Sequence, residues 1–214
     1  MAICGVKLEI IGLLLLMIKC AEPVRITDPK LMEIERFVNA CAADEMGSVA
    51  AMIQKGTDID SRNFDFQRTC LHYAAYKGNL QMVEFLLRHG ASVEIMDKRG
   101  QTPLFDSIFV PRNYKPPTWD SKAVNLLLAK GGRKVVNTPD KNGSTPLYWA
   151  CRLHEPEIVE LLLENGADPN YHDNGKLWAY RCVQDRLEGY NEEKKQKAQR
   201  IWSLMKAKGA KEPI

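Results

Sequence analysis

Apolar residues in the middle of the chain fall into stripes with helical spacing. In one, Met82, Val83, Phe85, Leu86 and Leu87 form a single wide face of the kind that a buried helix presents. That stripe belongs to a longer unit. TCLHYAAYKGNLQMVEFLLRHGAS (69–92) aligns from end to end, without a gap, with TPLYWACRLHEPEIVELLLENGAD (145–168). Each segment opens on a threonine and continues through a small pair (Ala74-Ala75, Ala150-Cys151) and a Val-x-apolar-Leu-Leu run to a Gly-Ala end. The pattern predicts two helices per segment. Thr69 and Thr145 are placed to cap the first helix, and Pro103 and Pro146 suit a first turn, where no backbone N–H is missed. Gly90 and Gly166 stand where the second helix needs a left-handed residue to end. Asp97-Lys-Arg-Gly100 and Asp140-Lys-Asn-Gly143 are turn sequences leading into the next unit.

The intervals give the period. Thr69 to Thr102 is one period of about 33 residues, and Gly56 to Gly90 matches it to within one position. Gly90 to Gly131 is longer by eight, and Gly131 to Gly166 by two. One basic unit with those two insertions also explains the long interval from Thr102 to Thr145. The larger insertion is PRNYKPPT, residues 111–118, placed between the two helices of the third unit. Its prolines prevent either helix from extending into it.

This pattern closely resembles the ankyrin repeat. The family's TPLHxAA motif appears as TCLHYAA (69–75), TPLFDSI (102–108) and TPLYWAC (145–151). Its GADxN helix end appears as GADPN (166–170) and more loosely as GTDID (56–60). A weaker unit precedes these and a degenerate one follows, so the resemblance spans residues 31–211 in five units: about 31–63, 64–96, 97–139, 140–172 and 173–211. His72 is the one intact motif histidine, because Phe105 and Tyr148 replace it elsewhere; the Thr-to-His side-chain bond is therefore available in one unit. The resemblance implies an all-α repeat solenoid of helix-turn-helix units with short hairpin turns. Physics agrees, since one two-helix unit cannot bury its stripe alone while stacked units share a core. In the last unit Asn191 can cap a helix whose stripe is Ala198, Ile201, Trp202 and Met205, with Lys194, Lys195 and Lys197 largely off it.

Composition adds limits. Over 214 residues, 45% apolar and 27% charged content are globular values, and a net charge of +3 does not by itself point to nucleic acid. The C-terminal basic run, residues 191–214, reads as the polar cap of a solenoid in preference to a nucleic-acid or membrane surface. The segment 1–21 differs from the rest. Lys7 precedes an apolar run, Ile10 to Ile18, that is too short to span a bilayer and fits either a signal-peptide core or an edge-packed helix. The segment 22–30 then reads as a linker. The signal-peptide reading favours export. The cysteines favour a reducing compartment: Cys41, Cys70, Cys151 and Cys182 occupy small or motif positions of the repeats, and equivalent positions of stacked units lie too far apart to bridge.

No catalytic signature is found, and four scattered histidines with no CxxC pair argue against zinc, so neither an enzyme nor a cofactor is expected. His154-Glu155 falls at a turn between helices, and Asn142-Gly-Ser144 is a glycosylation sequon that reads first as an ordinary turn. What remains is recognition of another protein. The resemblance places partner contacts on the turn tips and on the exposed side of the first helices. In this sequence those positions are Phe66, Arg68, Tyr73, Tyr76, Lys77, Lys98, Arg99, Gln101, Asp106, Lys141, Asn142, Ser144, Trp149 and Arg152. Their basic and aromatic character suggests a partner with an acidic stretch. A second contact through Arg112, Tyr114, Lys115 and Trp119 of the inserted loop is the alternative to neutral drift. The expected role is a monomeric, non-catalytic interaction module; the alternative is an exported effector or inhibitor that blocks an enzyme at its acidic surface.

Overall fold

The computed structural model describes residues 28–109, 121–173, 176–177 and 192–211. The N-terminal apolar segment, most of the 22–30 linker, the inserted loop with Arg112, Tyr114, Lys115 and Trp119, and Cys182 and Asn191 lie outside these residues. The chain divides into Met1–Glu33 and Ile34–Ile214. In the first part, the Asp28 carboxylate accepts the Lys30 N–H at 2.8 Å where a helix begins.

The described residues form helix pairs, the first helix beginning before Ile34. The elements are α1 (Pro29–Ala42), α2 (Met46–Gln54), α3 (Cys70–Lys77), α4 (Leu80–Arg88), α5 (Pro103–Ile108), α6 (Lys122–Gly131), α7 (Arg133–Val136), α8 (Pro146–Leu153), α9 (Pro156–Glu164) and α10 (Glu192–Ala207). A short antiparallel ladder, β1 (His172–Asp173) with β2 (Lys176–Leu177), follows α9. The first helices stack, α3 on α5 and α5 on α8, and the second helices do likewise, α4 on α6; α10 closes on α9. One apolar core runs the length of the stack, from Phe37 and Val38 through Leu71, Leu86, Leu104, Leu127, Leu147 and Leu162 to Ile201 and Met205. Burial at every step depends on the neighbouring pair, which is why the apolar stripes recur at the period of the unit.

Local signals work as the sequence suggests. Thr145 Oγ1 accepts the Tyr148 N–H, and Pro103 and Pro146 sit in first turns. In the first, second and fourth pairs the turn between the helices carries a left-handed residue, Asp44 (φ 61°), Gly78 (φ 67°) and His154 (φ 59°). His154 is therefore a helix-ending residue, and no group of three or more metal-binding side chains occurs among the described residues. On α10, Ala198, Ile201 and Met205 are buried. Several of its cations are paired: Lys195 with Glu192, Lys197 with Glu193, and Arg200 with Glu157 and Glu160.

The hairpin tips zip together along the stack. Asp97 Oδ1 accepts the N–H groups of Arg99 and Gln101, and Asp140 Oδ1 accepts those of Asn142 and Ser144. Between units, Lys98 N–H donates to the Phe66 carbonyl at 2.8 Å and Lys141 N–H to the Arg99 carbonyl at 2.9 Å. Gly100 (φ 78°) is held by two constraints: its left-handed backbone, and a Cβ that would lie 3.0 Å from Lys141 N. Gly100→Ala is expected to cost about 1–2 kcal/mol, read as a lower denaturation midpoint with an unchanged m-value.

One expectation fails. Cys41 and Cys70 form a disulfide, with Cα atoms 5.3 Å apart, so they are not the free thiols inferred from their repeat positions. The separation argument concerned equivalent positions. Cys41 is equivalent to Ala75, and Cys70 lies more than a helical turn before Ala75 on α3. The bridge therefore ties the last turn of α1 to the first turn of α3, at a separation a disulfide can span. Closing 29 residues of chain restricts the unfolded state. Cys151 is buried, with its thiol 3.7 Å from the Met205 sulfur.

Candidate functional site

The first helix of the second unit begins with a buried network. Thr69 N–H donates to His72 Nδ1 at 3.1 Å, and Thr69 Oγ1 lies 2.8 Å from the same nitrogen. A backbone N–H can only donate, so Nδ1 is an acceptor and the proton sits on Nε2, which donates to the Gln101 carbonyl at 3.0 Å. His72 thus ties its own helix to the next hairpin. Burial lowers its pKa to about 4, with the Gln101 bond and Asp97 opposing and Arg68 assisting. It is a structural histidine.

Arg68 lies beside this network. Its Nε donates to Asp97 Oδ2 at 3.4 Å and its Nη2 to Asp106 Oδ1 at 2.8 Å. Its guanidinium carbon is 5.8 Å from the Tyr73 ring centroid and 5.6 Å from that of Tyr76. Asp106 is buried, not exposed as its place on the first helix suggested; the short α5 turns it inward against Arg68. Burial pushes its carboxyl up to about 7, Asp97 adds to the rise, and Arg68 and Arg99 only partly offset it.

A cavity of about 200 Å3 opens over these groups, lined by Arg68, Tyr76, Arg99, Gln101, Asp106, Phe109 and Trp149. All but Phe109 are positions that the sequence nominated for partner contact. Phe109 is the addition: it is 48% exposed and meets the Trp149 ring edge-on at 5.3 Å. Its place just beyond α5, about one turn after Asp106, is the signal that could have suggested it; the proline-rich sequence that follows masks that signal. Arg152 approaches the same indole at 5.5 Å. Two buried polar atoms here have no partner among the described residues, Asp106 Oδ2 and Trp149 Nε1.

The other nominated residues separate into groups. Phe66, Lys98, Arg99, Lys141, Asn142 and Arg152 are exposed, and Gln101 is half-buried with its amide 3.3 Å from Asp140 Oδ2. Tyr73 is half-buried, its hydroxyl accepting from Asn63 Nδ2 at 3.2 Å. Lys77 is engaged with Asp44 at 2.8 Å. Ser144 is buried in its turn, not on the surface, because its backbone completes the Asp140 loop. This is a surface of rings and cations around one cleft.

Comparison with known proteins agrees with the helix-pair stack. The profile described as Ankyrin repeats (3 copies) matches residues 38–115 and 119–173, more than half of the chain. The chain belongs to the ankyrin-repeat family. Its repeats are 33% identical to human inversin over 158 residues, covering 67% of this chain and 14% of inversin. They are 31% identical over 140 residues to the probable 26S proteasome regulatory subunit p28 of Saccharomyces cerevisiae, covering 64% of this chain and 58% of p28. They are 26% identical over 143 residues to the phosphocholine transferase AnkX of Legionella pneumophila, covering 67% of this chain and 14% of AnkX. The chain thus spans only a part of the relatives it matches, and the likeness lies in the repeats. Ankyrin repeats are protein–protein interaction modules, generally non-catalytic. No helix among the described residues is long and apolar enough to cross a membrane.

Proposed function

We propose that this ankyrin-repeat chain acts without catalysis of its own and binds a partner protein through its hairpin tips and first-helix faces. The observation that carries this reading is the cleft: aromatic rings and cations from three successive units converge there, on a rigid frame whose tips are hydrogen-bonded to one another. Interfaces draw most of their energy from such Arg, Trp and Tyr clusters. The exposed cations Lys98, Arg99, Lys141 and Arg152 favour a partner that brings an acidic stretch to this face.

The test reverses charge where folding does not depend on it. Lys98→Glu with Lys141→Glu is expected to reduce recovery of native partners in a pull-down from the host at least tenfold, while Arg88→Glu, on α4, leaves recovery unchanged. Equal recovery by the double variant, the Arg88 variant and the parent chain would overturn the proposal.

One observation favours a second reading, an exported inhibitor of an enzyme: the Cys41–Cys70 bridge is the kind of link that persists in oxidising compartments. Activity assays on a captured enzyme distinguish it, because an inhibitor suppresses turnover and a scaffold does not.

A further inference from the structure

We infer that the cleft between the second, third and fourth units is a socket for one carboxylate side chain of the partner's acidic segment. This rests on the reading of the tip and first-helix face as the partner surface, and adds to it a defined point of attachment.

The balance of charge around the cleft points to an anion. Arg68 is already held between two buried carboxylates, Asp97 and Asp106, and is not available to a ligand. Arg99 is different. Its backbone is fixed by the Asp97 turn, its side chain is exposed, and it lines the cleft without an ion pair or side-chain hydrogen bond among the described residues. Lys98 and Lys141 flank it on the tips and Arg152 stands beyond Trp149. An entering anion therefore meets the exposed Arg99 guanidinium with further cations at the rim. A planar carboxylate suits it, since a guanidinium can donate two parallel bonds to one.

The buried atoms agree. Trp149 Nε1 can only donate, and it is buried with no acceptor among the described residues. An unsatisfied buried donor is costly, so a ligand oxygen that reaches it removes a penalty as well as forming a bond. Asp106 Oδ2 is the second such atom, on a side chain almost wholly buried. Burial raises that carboxyl to about 7, so Oδ2 can donate to an incoming oxygen only in the protonated form, which an entering anion favours. Phe109, Tyr76 and the indole face supply the apolar walls that exclude water around the pair. Each of these groups is oriented by the repeat frame and not by the ligand, which keeps the ordering cost of binding low.

The probe is a fluorescein-labelled dodecapeptide of alternating Glu and Ser, compared by anisotropy at physiological salt with its Gln–Ser counterpart on the whole chain. The Glu peptide is expected to bind at least tenfold more tightly than the Gln peptide. Arg99→Gln should weaken it about tenfold with an unchanged denaturation midpoint, and Trp149→Phe, which keeps a ring but removes the N–H, about threefold or more. Arg88→Gln should change it less than twofold. Equal binding of the two peptides, no binding of the Glu peptide at millimolar concentration, or an Arg99→Gln effect no larger than that of Arg88→Gln each overturns the socket. If the socket fails while Lys98→Glu with Lys141→Glu still abolishes partner recovery, the face stands and only the socket falls. If both fail, the face itself is wrong.

Discussion

Arg68→Ala at pH 8 is expected to destabilise the fold by about 3–5 kcal/mol, because it leaves two buried carboxylates without their shared cation. The pH matters, and its sign follows from Asp106. That carboxyl has a folded-state pKa raised from 3.8 to about 7, so its contribution to stability is fully present below pH 3.8 and is lost as pH rises through about 7. At pH 5 Asp106 is largely neutral in the fold, and losing Arg68 then exposes chiefly the Asp97 charge, which retains the N–H groups of Arg99 and Gln101. The cost of Arg68→Ala should therefore shrink as pH falls from 8 to 5. In an Asp106→Asn background it should also be smaller at pH 8. Urea denaturation of the parent, both single variants and the double variant at each pH checks this; a cost that is the same at pH 5 and pH 8 would show that Asp106 does not titrate in this range.

Leu162→Ala, and equally Leu86→Ala, is expected to cost about 2–5 kcal/mol. Both leucines are fully buried on second helices and face the core shared with neighbouring units. Because adjacent pairs bury each other, the cavity weakens the contact between units as well as the helix that carries it. Chemical denaturation measures the loss, and a shift smaller than about 0.5 kcal/mol would mean that the leucine stripes do not form the common core. Leu153, an exposed leucine on the neighbouring α8, is the comparison site, and Leu153→Ala should fall within that smaller range.

How much of the molecule is legible in the sequence follows from which interactions are local. Thr69 with His72, Thr145 with Tyr148, and Asp97 with Arg99 and Gln101 each act within a few residues. Their spacing in the chain is their spacing in space, so the motif letters carry the geometry. The recurrence of those letters from unit to unit, together with apolar stripes that no single unit can bury, specifies the all-α solenoid. The positions of Arg68, Tyr76, Arg99, Gln101, Asp106 and Trp149 are accessible for the same reason: each has a definite place in the unit.

Other features depend on how one unit sits on the next. The exposure expected of Asp106 fails because its burial comes from Arg68, 38 residues earlier in the chain. Phe109 becomes a wall of the cleft only where Trp149 of the following unit meets it. The Cys41–Cys70 bridge links positions that differ in repeat register and meet where the end of α1 approaches the start of α3, which a comparison of equivalent positions cannot reveal. By itself, then, the sequence determined the unit, its period and the residues displayed on its tips, since these rest on contacts within a turn or two of chain. Tertiary structure alone decided which of those residues are buried, which are bridged and which share a cleft, because burial and long-range charge pairing are properties of the stacked neighbours and not of the repeat.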